Sequence, residues 1–275
     1  MTQPSEQLGW EARWGNPAAY AAFAYALLTV AGSVYVGVGL DTQPDDTREL
    51  LAALDTESSV FVTSVIVQAL GLLLLPLPLV YLYGAIKARR PELPTIALYL
   101  AVGGPLLLAV ASVLSQIDRI DNAEQFFASG PRTDERAKDL IVERSGLGLG
   151  FGLAGSMAFG IALVLLSVNA MRAGVVSRFM GVMGVIVGAL PVLSSLIPIV
   201  SAGFVQLFWV IALGALFLGK WPGGRGPAWQ TGEATPWPSA ADRRLEQAEA
   251  PMEDSTDEPG PAHPPSKKRK RKRKR

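Results

Sequence analysis

The chain has 275 residues, of which 49% are hydrophobic and 18% charged, with a formal net charge of +1 and a mean hydropathy of +0.29. The charges are clustered and leave several uncharged stretches of the roughly 20 residues that a bilayer-crossing helix needs, which argues against a soluble fold. With no cysteine and a single histidine, His263 in a Pro-rich tail, disulfides, thiol catalysis and Cys-ligated metals are excluded, and one imidazole alone cannot assemble a metal site.

Residues 1–17 carry Glu6, Glu11 and Arg13 and read as a short cytoplasmic segment, not as the basic n-region of a cleaved signal. A first span is expected over 18–40, with Pro17 suited to a first helical turn because its missing N–H would be unpaired there anyway. The loop 41–59 is acidic, with Arg48 its one base. Its cluster of Asp41, Asp45, Asp46 and Glu49 lacks the spacing of a known calcium loop and reads as solvated. Span two is expected over 60–84, with Pro76 and Pro78 inside it and Tyr81 and Tyr83 where amphipathic rings favour the headgroup region.

The short loop 85–94 holds Lys87, Arg89 and Arg90. Span three, 95–117, is interrupted by Gly103-Gly104-Pro105. In the mixed-charge loop 118–145, residues 134–144 predict a short surface helix, with Ala137, Leu140 and Ile141 on one face and Asp134 paired to Lys138. Span four is expected over 147–169. A loop with Arg172 and Arg178 leads to span five, 179–199, and then span six, 203–219. The last two share one apolar stretch, and a single span plus a re-entrant segment is the alternative. Beyond Lys220 the apolar periodicity stops, so 220–275 is expected to be a disordered cytoplasmic tail.

The fold class is therefore all-α: a polytopic membrane protein of about six transmembrane helices. Lipid offers the backbone no hydrogen-bond partners, so a span must satisfy its own N–H and C=O groups. Barrel strands of about 10 alternating residues do not fit these longer, uniformly apolar segments. Lys87, Arg89, Arg90, Arg172 and Arg178 mark cytoplasmic loops, which places both termini inside and the Arg48 loop outside, in the plasma membrane. The five basic residues of 118–145 dissent, although seven acidic residues accompany them.

No ionisable residue lies within any expected span. That argues against a carboxylate-driven proton antiporter and against intramembrane serine or aspartyl proteolysis. The embedded polar groups are chiefly Gln68, Gln116, Asn169 and Gln206. Gln68 and Gln206, with the helix breaks at Pro76, Pro78, Gly103, Gly104 and Pro105, outline a substrate path; interhelical hydrogen bonds and ordinary kinks are the plainer reading of the same residues. Pro191 and Pro198 mark span five.

Gly148, Gly152, Ser156 and Gly160 recur every four residues, a ridge for close helix packing to which Gly184 and Gly188 are the expected complement. The same ridge would serve a homo-oligomer. No catalytic residue, cofactor or metal is expected.

The partners expected are the lipid bilayer and, through Lys267, Lys268, Arg269, Lys270, Arg271, Lys272, Arg273, Lys274 and Arg275, anionic lipid headgroups. The same run would bind nucleic acid non-specifically, but nucleic acid is not the partner a polytopic protein suggests.

The junction Trp221-Pro222-Gly223-Gly224-Arg225-Gly226-Pro227-Ala228-Trp229, continuing through Thr231-Gly232-Glu233-Ala234 to Pro236-Trp237-Pro238, resembles the post-membrane segment of multi-span proteins of high-GC, actinobacterial-like bacteria, of the domain-of-unknown-function kind. The resemblance implies a multi-span layout and carries no activity. The first reading of function is a non-enzymatic membrane protein acting in permeation, sensing or scaffolding. The second is a secondary transporter or channel for a neutral or weakly polar solute, and the third a membrane enzyme with catalytic residues in its loops.

Overall fold

The computed structural model describes residues 4–143, 145–194 and 202–237, and every regular element among them is helical. The basic run 267–275, the remainder of the tail from 238 and the end of the fifth expected span, including Pro198, lie outside the described residues.

α1 (Pro4–Gly39) runs on past Pro17, so the N-terminal segment 4–17 is the first part of the first long helix. α2 (Thr47–Thr56) is capped by Asp46, whose carboxylate accepts from the N–H groups of Arg48 and Glu49 at 2.8 and 2.9 Å, while Glu49 accepts from the Asp45 N–H at 2.7 Å. Two members of the acidic cluster are thus used as helix caps.

α3 (Ser58–Leu74) and α4 (Pro76–Arg89) are separated by Leu75 alone, where Pro76 has no N–H to continue the ladder. α5 (Ile96–Ala128) continues through Gly103-Gly104-Pro105 without interruption and extends well beyond the expected end at 117. Packing on both sides holds the helix together where proline removes one bond. α6 (Asp134–Val142) is the short helix expected there, capped by Thr133, with Ala137 and Leu140 buried. Asp134 pairs with Arg48 of α2 at 3.3 Å rather than with Lys138.

α7 (Gly146–Arg172) is capped by Ser145, and Asp118 of α5 accepts from both the N–H and the hydroxyl of that serine, at 2.9 and 3.0 Å. α8 (Arg178–Ser194) and α9 (Ala202–Phe217) follow, then the single turn α10 (Ala228–Thr231).

The long helices close into a ring. α1 packs on α3 and α9, α3 on α5, α5 on α7, α7 on α8, and α8 on α9. The kink at Pro76 divides the interior in two. α4 leans inward, touching α1, α5 and α7, and Leu75, Leu79, Leu82 and Ile86 are fully buried at helical spacing against Leu163 and Leu166 of α7 and Leu213 and Leu216 of α9. α3 stays at the periphery.

A second, smaller core forms beyond the opposite end of the bundle. There α2 and α6 pack on the extension of α5 and bury Leu51, Leu54, Ala123, Phe126, Ala137 and Leu140.

The outward faces are apolar. Val62, Ile66, Leu70, Leu73, Leu77 and Val80 form one exposed stripe at helical spacing that continues across Pro76, so α3 and α4 present a single outer surface. Leu27, Val30, Val34 and Val38 do the same on α1, Leu149, Leu153, Met157 and Ile161 on α7, and Phe204, Phe208 and Ile211 on α9.

Four helices, Ser5–Gly39, Ser58–Arg89, Ile96–Ala128 and Gly146–Arg172, are long and apolar enough to cross a membrane. The fifth and sixth expected spans are shorter among the described residues: α8 has 17 residues and α9 has 16, about 25 Å each at a rise of about 1.5 Å per residue.

Candidate functional site

An open cleft of about 950 Å³ lies among α1, α3, α5 and α7, and Leu149 and Leu153 stand at its outer edge. Its wall takes Ser33 and Val36 from α1, then Phe61, Ser64, Val65, Gln68 and Leu72 from α3. α5 supplies Leu108, Ala111, Ser112, Ser115, Gln116 and Arg119, α7 supplies Leu149, Gly152, Leu153 and Ser156, and Pro191 and Gln206 complete it. Every α3 residue on the wall precedes Pro76, and every α5 residue follows Pro105. The cleft therefore lies beside the segment before Pro76 and the segment after Pro105.

Uncharged hydrogen-bonding groups dominate the polar part of that wall. Ser64 donates to the Gly32 carbonyl at 2.8 Å, and Gln68 Nε2 donates to Ser64 Oγ at 2.9 Å. Gln206 Nε2 donates to the Tyr25 hydroxyl at 2.8 Å. Ser33 and Ser112 turn their hydroxyls back to the carbonyls of Thr29 and Ala109. Gln116 is buried, and its side-chain nitrogen has no hydrogen-bond partner among the described residues. Arg119, the one charged residue on the wall, is exposed.

The other end of the bundle is closed by an ionic and aromatic clamp. Arg89 holds Glu11 through two hydrogen bonds, at 2.5 and 3.0 Å, with both side chains buried. The same guanidinium donates to the Ala85 carbonyl at 2.8 Å and twice to the Ala228 carbonyl, at 2.7 and 3.1 Å. Tyr81 donates to the Glu11 carbonyl at 3.0 Å and stacks between Trp10 and Trp229, with Phe217 edge-on at 4.7 Å. Trp229 donates to the Val175 carbonyl at 2.8 Å, and Arg225 bonds the Phe217 carbonyl.

Residues 220–237, expected as the start of a disordered tail, are therefore folded onto the helix ends. Trp229 fills a buried aromatic slot, and Arg89 satisfies the Ala228 carbonyl. Tyr81 and Tyr83, expected at the headgroup level, are 2% and 8% exposed. Local sequence gives no sign of this clamp, because Glu11 and Arg89 lie in separate helices and meet only in the folded bundle.

Gln68 and Gln206 come together on the cavity wall. Pro76, Pro78, Gly103, Gly104 and Pro105 lie outside it. Gly104 is instead a close-packing position: a Cβ there would lie 2.6 Å from the Phe159 nitrogen of α7, and one on Gly155 would lie 3.0 Å from the Leu108 nitrogen of α5. The ridge of four is used unevenly. A Cβ on Gly148 would meet Asp118 at 3.0 Å, one on Gly152 would meet only Ala111 at 3.8 Å, and Ser156 faces the cavity. The Gly160 carbonyl lies 2.7 Å from where a Gly188 Cβ would stand, and Gly184 packs against Ser167 and Trp209. These contacts lie within the bundle, not on its outer face.

Charge divides between the two ends of the bundle. Among the described residues the clamp end carries eight basic and four acidic side chains, whereas the α2–α6 end carries five basic and thirteen acidic. Two of the basic residues of 118–145 are engaged locally: Arg136 donates to the carbonyls of Gln125 and Phe126, and Arg132 to that of Phe127. Among the described residues no three His, Asp or Glu side chains gather as a metal-ligand set.

Fold and site together define an all-α bundle with four helices able to cross a membrane and an open cleft lined by apolar side chains, amides and hydroxyls. No protein-family model, curated protein or solved structure matches the chain, so the likeness of the 221–238 junction to bacterial multi-span proteins gains no support from these comparisons.

Proposed function

We propose that the chain is a non-enzymatic multi-pass membrane protein that admits a small uncharged polar solute to the interior of its bundle, as a transporter or channel does. The observation that carries this reading is the presence of Gln68, Gln116 and Gln206, from three helices, on the wall of one open cleft in a bundle with an apolar exterior. Carboxamides are costly to bury and are placed inside membrane bundles where they bind one another or face a polar space.

The exposed apolar stripes support immersion in lipid, because soluble proteins do not present apolar surface on every helix. α8 and α9 carry such stripes as well and complete the ring, which supports six spans. At about 25 Å they fall somewhat short of the ~30 Å hydrocarbon core, a mismatch that local thinning accommodates. The basic clamp end faces the cytoplasm of a plasma membrane, by the preference of Lys and Arg for that side. The run 267–275, which lies outside the described residues, is suited by its charge to anionic headgroups, at about 1 kcal/mol per basic residue near the surface.

Solute flux into proteoliposomes tests the reading, comparing the wild-type chain with Gln68→Leu and Gln206→Leu. Both variants should slow the flux of a small polar solute. A flux equal to that of protein-free vesicles, or one untouched by either substitution, refutes the proposal.

A further inference from the structure

We propose that residues 226–237 are a releasable latch on the clamp end of the bundle. Swung away on the glycines that precede them, they uncover the Arg89–Glu11 pair and free α1 and α4 to part. In the closed form the segment ties together the end of α4, the end of α9 and the α7–α8 turn.

It docks through few points. Trp229 is the anchor: its indole is 6% exposed, lies against Tyr81 and Phe217 with ring centroids 5.9 and 6.2 Å away, and donates to the Val175 carbonyl at 2.8 Å. Ala228 beside it accepts from Arg89. The Thr235 backbone packs so closely on Gly174 that a Cβ there would overlap its carbonyl. The hydroxyl of Thr231 bonds to Pro227, Glu233 and Thr235, all inside the segment. A segment held at so few places opens locally at far less cost than the bundle unfolds.

The connection to α9 is built to bend. α9 ends at Phe217, and Gly219, Gly223 and Gly224 follow with φ of +71°, +90° and +67°. A Cβ on Gly223 or Gly224 would meet nothing within 4 Å, so the backbone angle, not packing, calls for glycine there. Hinges are made of a few loop residues that absorb large dihedral changes.

Release strands no charge. Arg89 keeps both bonds to Glu11 and the one to the Ala85 carbonyl, and its N–H groups that leave Ala228 meet water. The cleft takes no wall residue from α4, so the packed clamp half separates it from this end of the bundle. The latch's part in passage rests on the reading that the cleft admits a solute; its release does not.

The test uses the full chain in nanodiscs, with single cysteines labelled by a water-soluble maleimide with and without low urea. Ala228 in the latch and Ala123 in the second core are both 0% exposed. Ala228→Cys should react at least about tenfold faster than Ala123→Cys, at a rate that low urea hardly alters, because the opening that exposes it is local. Ala85 is also 0% exposed and shares the Arg89 face of α4 one turn away. Ala85→Cys should react slowly in the wild-type background and at least about tenfold faster with Trp229→Ala, while Ala123→Cys stays protected. Trp229→Phe, which keeps a ring and loses the bond to Val175, should fall between.

Labelling of Ala228→Cys no faster than that of Ala123→Cys overturns the latch, because the segment then opens only with the bundle. So does Ala85→Cys unmoved by Trp229→Ala, or Ala123→Cys accelerated as much as Ala85→Cys, which would make Trp229 a brace of the whole fold. Glycerol flux into proteoliposomes should rise with Trp229→Ala. A wild-type flux that this variant leaves unchanged overturns the latch's part in passage. Flux absent from both chains removes the transport reading and leaves the labelling rates to decide the latch.

Discussion

Replacing Arg89 with leucine should destabilise the whole clamp end. The guanidinium makes five hydrogen bonds, two to Glu11, one to the Ala85 carbonyl and two to the Ala228 carbonyl, and is wholly buried. Without it the Glu11 carboxylate, 3% exposed, keeps Gln7 Nε2 at 2.8 Å as its side-chain partner. Removing one member of a buried pair costs about 3–5 kcal/mol, because the remaining charge is uncompensated, against about 0–1 kcal/mol for an exposed pair.

Glu11→Gln should cost less, since Arg89 retains its three bonds to backbone carbonyls. The double variant Arg89→Leu, Glu11→Gln should recover part of the loss, since no buried charge is left alone. Loss of the Ala228 anchor should also free 218–237, exposing Arg225 to trypsin. Thermal unfolding in nanodiscs with limited proteolysis reads both effects. A loss under about 1 kcal/mol with Arg225 still protected, or a double variant equal to the sum of the singles, refutes the clamp as the brace of this end.

Gly104→Ala should destabilise by about 1–3 kcal/mol, because the added methyl would lie 2.6 Å from the Phe159 backbone nitrogen. Gly103→Ala, where a methyl meets nothing within 4 Å, should instead stabilise by about 0.5–1 kcal/mol; unfolding midpoints of the two variants should move in opposite directions. Trp209→Phe should cost about 1 kcal/mol by removing the bond from the indole N–H to the Met180 carbonyl, at 3.0 Å, and chemical unfolding checks it. Asp118→Ala should loosen the start of α7 by about 1 kcal/mol and raise amide exchange at Gly146 and Leu147.

The long helices and apolar exterior were legible because uncharged runs such as 60–84 signal their own environment, whatever they pack against. α6 was legible for a related reason: Ala137 and Leu140 mark a buried face at helical spacing, and Thr133 caps it. What could not be read locally depends on tertiary partners. Asp46 and Glu49 are exposed, as a solvated acidic cluster should be, and the backbone also places them as helix caps. Gly103-Gly104-Pro105 reads as a break, yet Phe159 packs against Gly104 and the helix continues.

Gln68 and Gln206 were identifiable as amides within apolar helices and are half-buried, but their common wall with Gln116 depends on how α3, α5 and α9 pack. The clamp was the least legible of all. Arg89 looks like a topogenic loop charge and Trp229 like an interfacial anchor, and only the closed ring brings both against Glu11 and Tyr81.

Labelling of single-cysteine variants with an impermeant maleimide on intact cells tests most directly whether the bundle crosses a bilayer with its basic end inside, and the Cys-free chain gives a silent background. Asp45→Cys, in the α1–α2 loop, should react without permeabilisation, and Glu92→Cys, in the α4–α5 loop, only after it. Reaction of Glu92→Cys in intact cells with Asp45→Cys protected would reverse the orientation, and equal reaction of both in the soluble fraction would contradict membrane insertion itself.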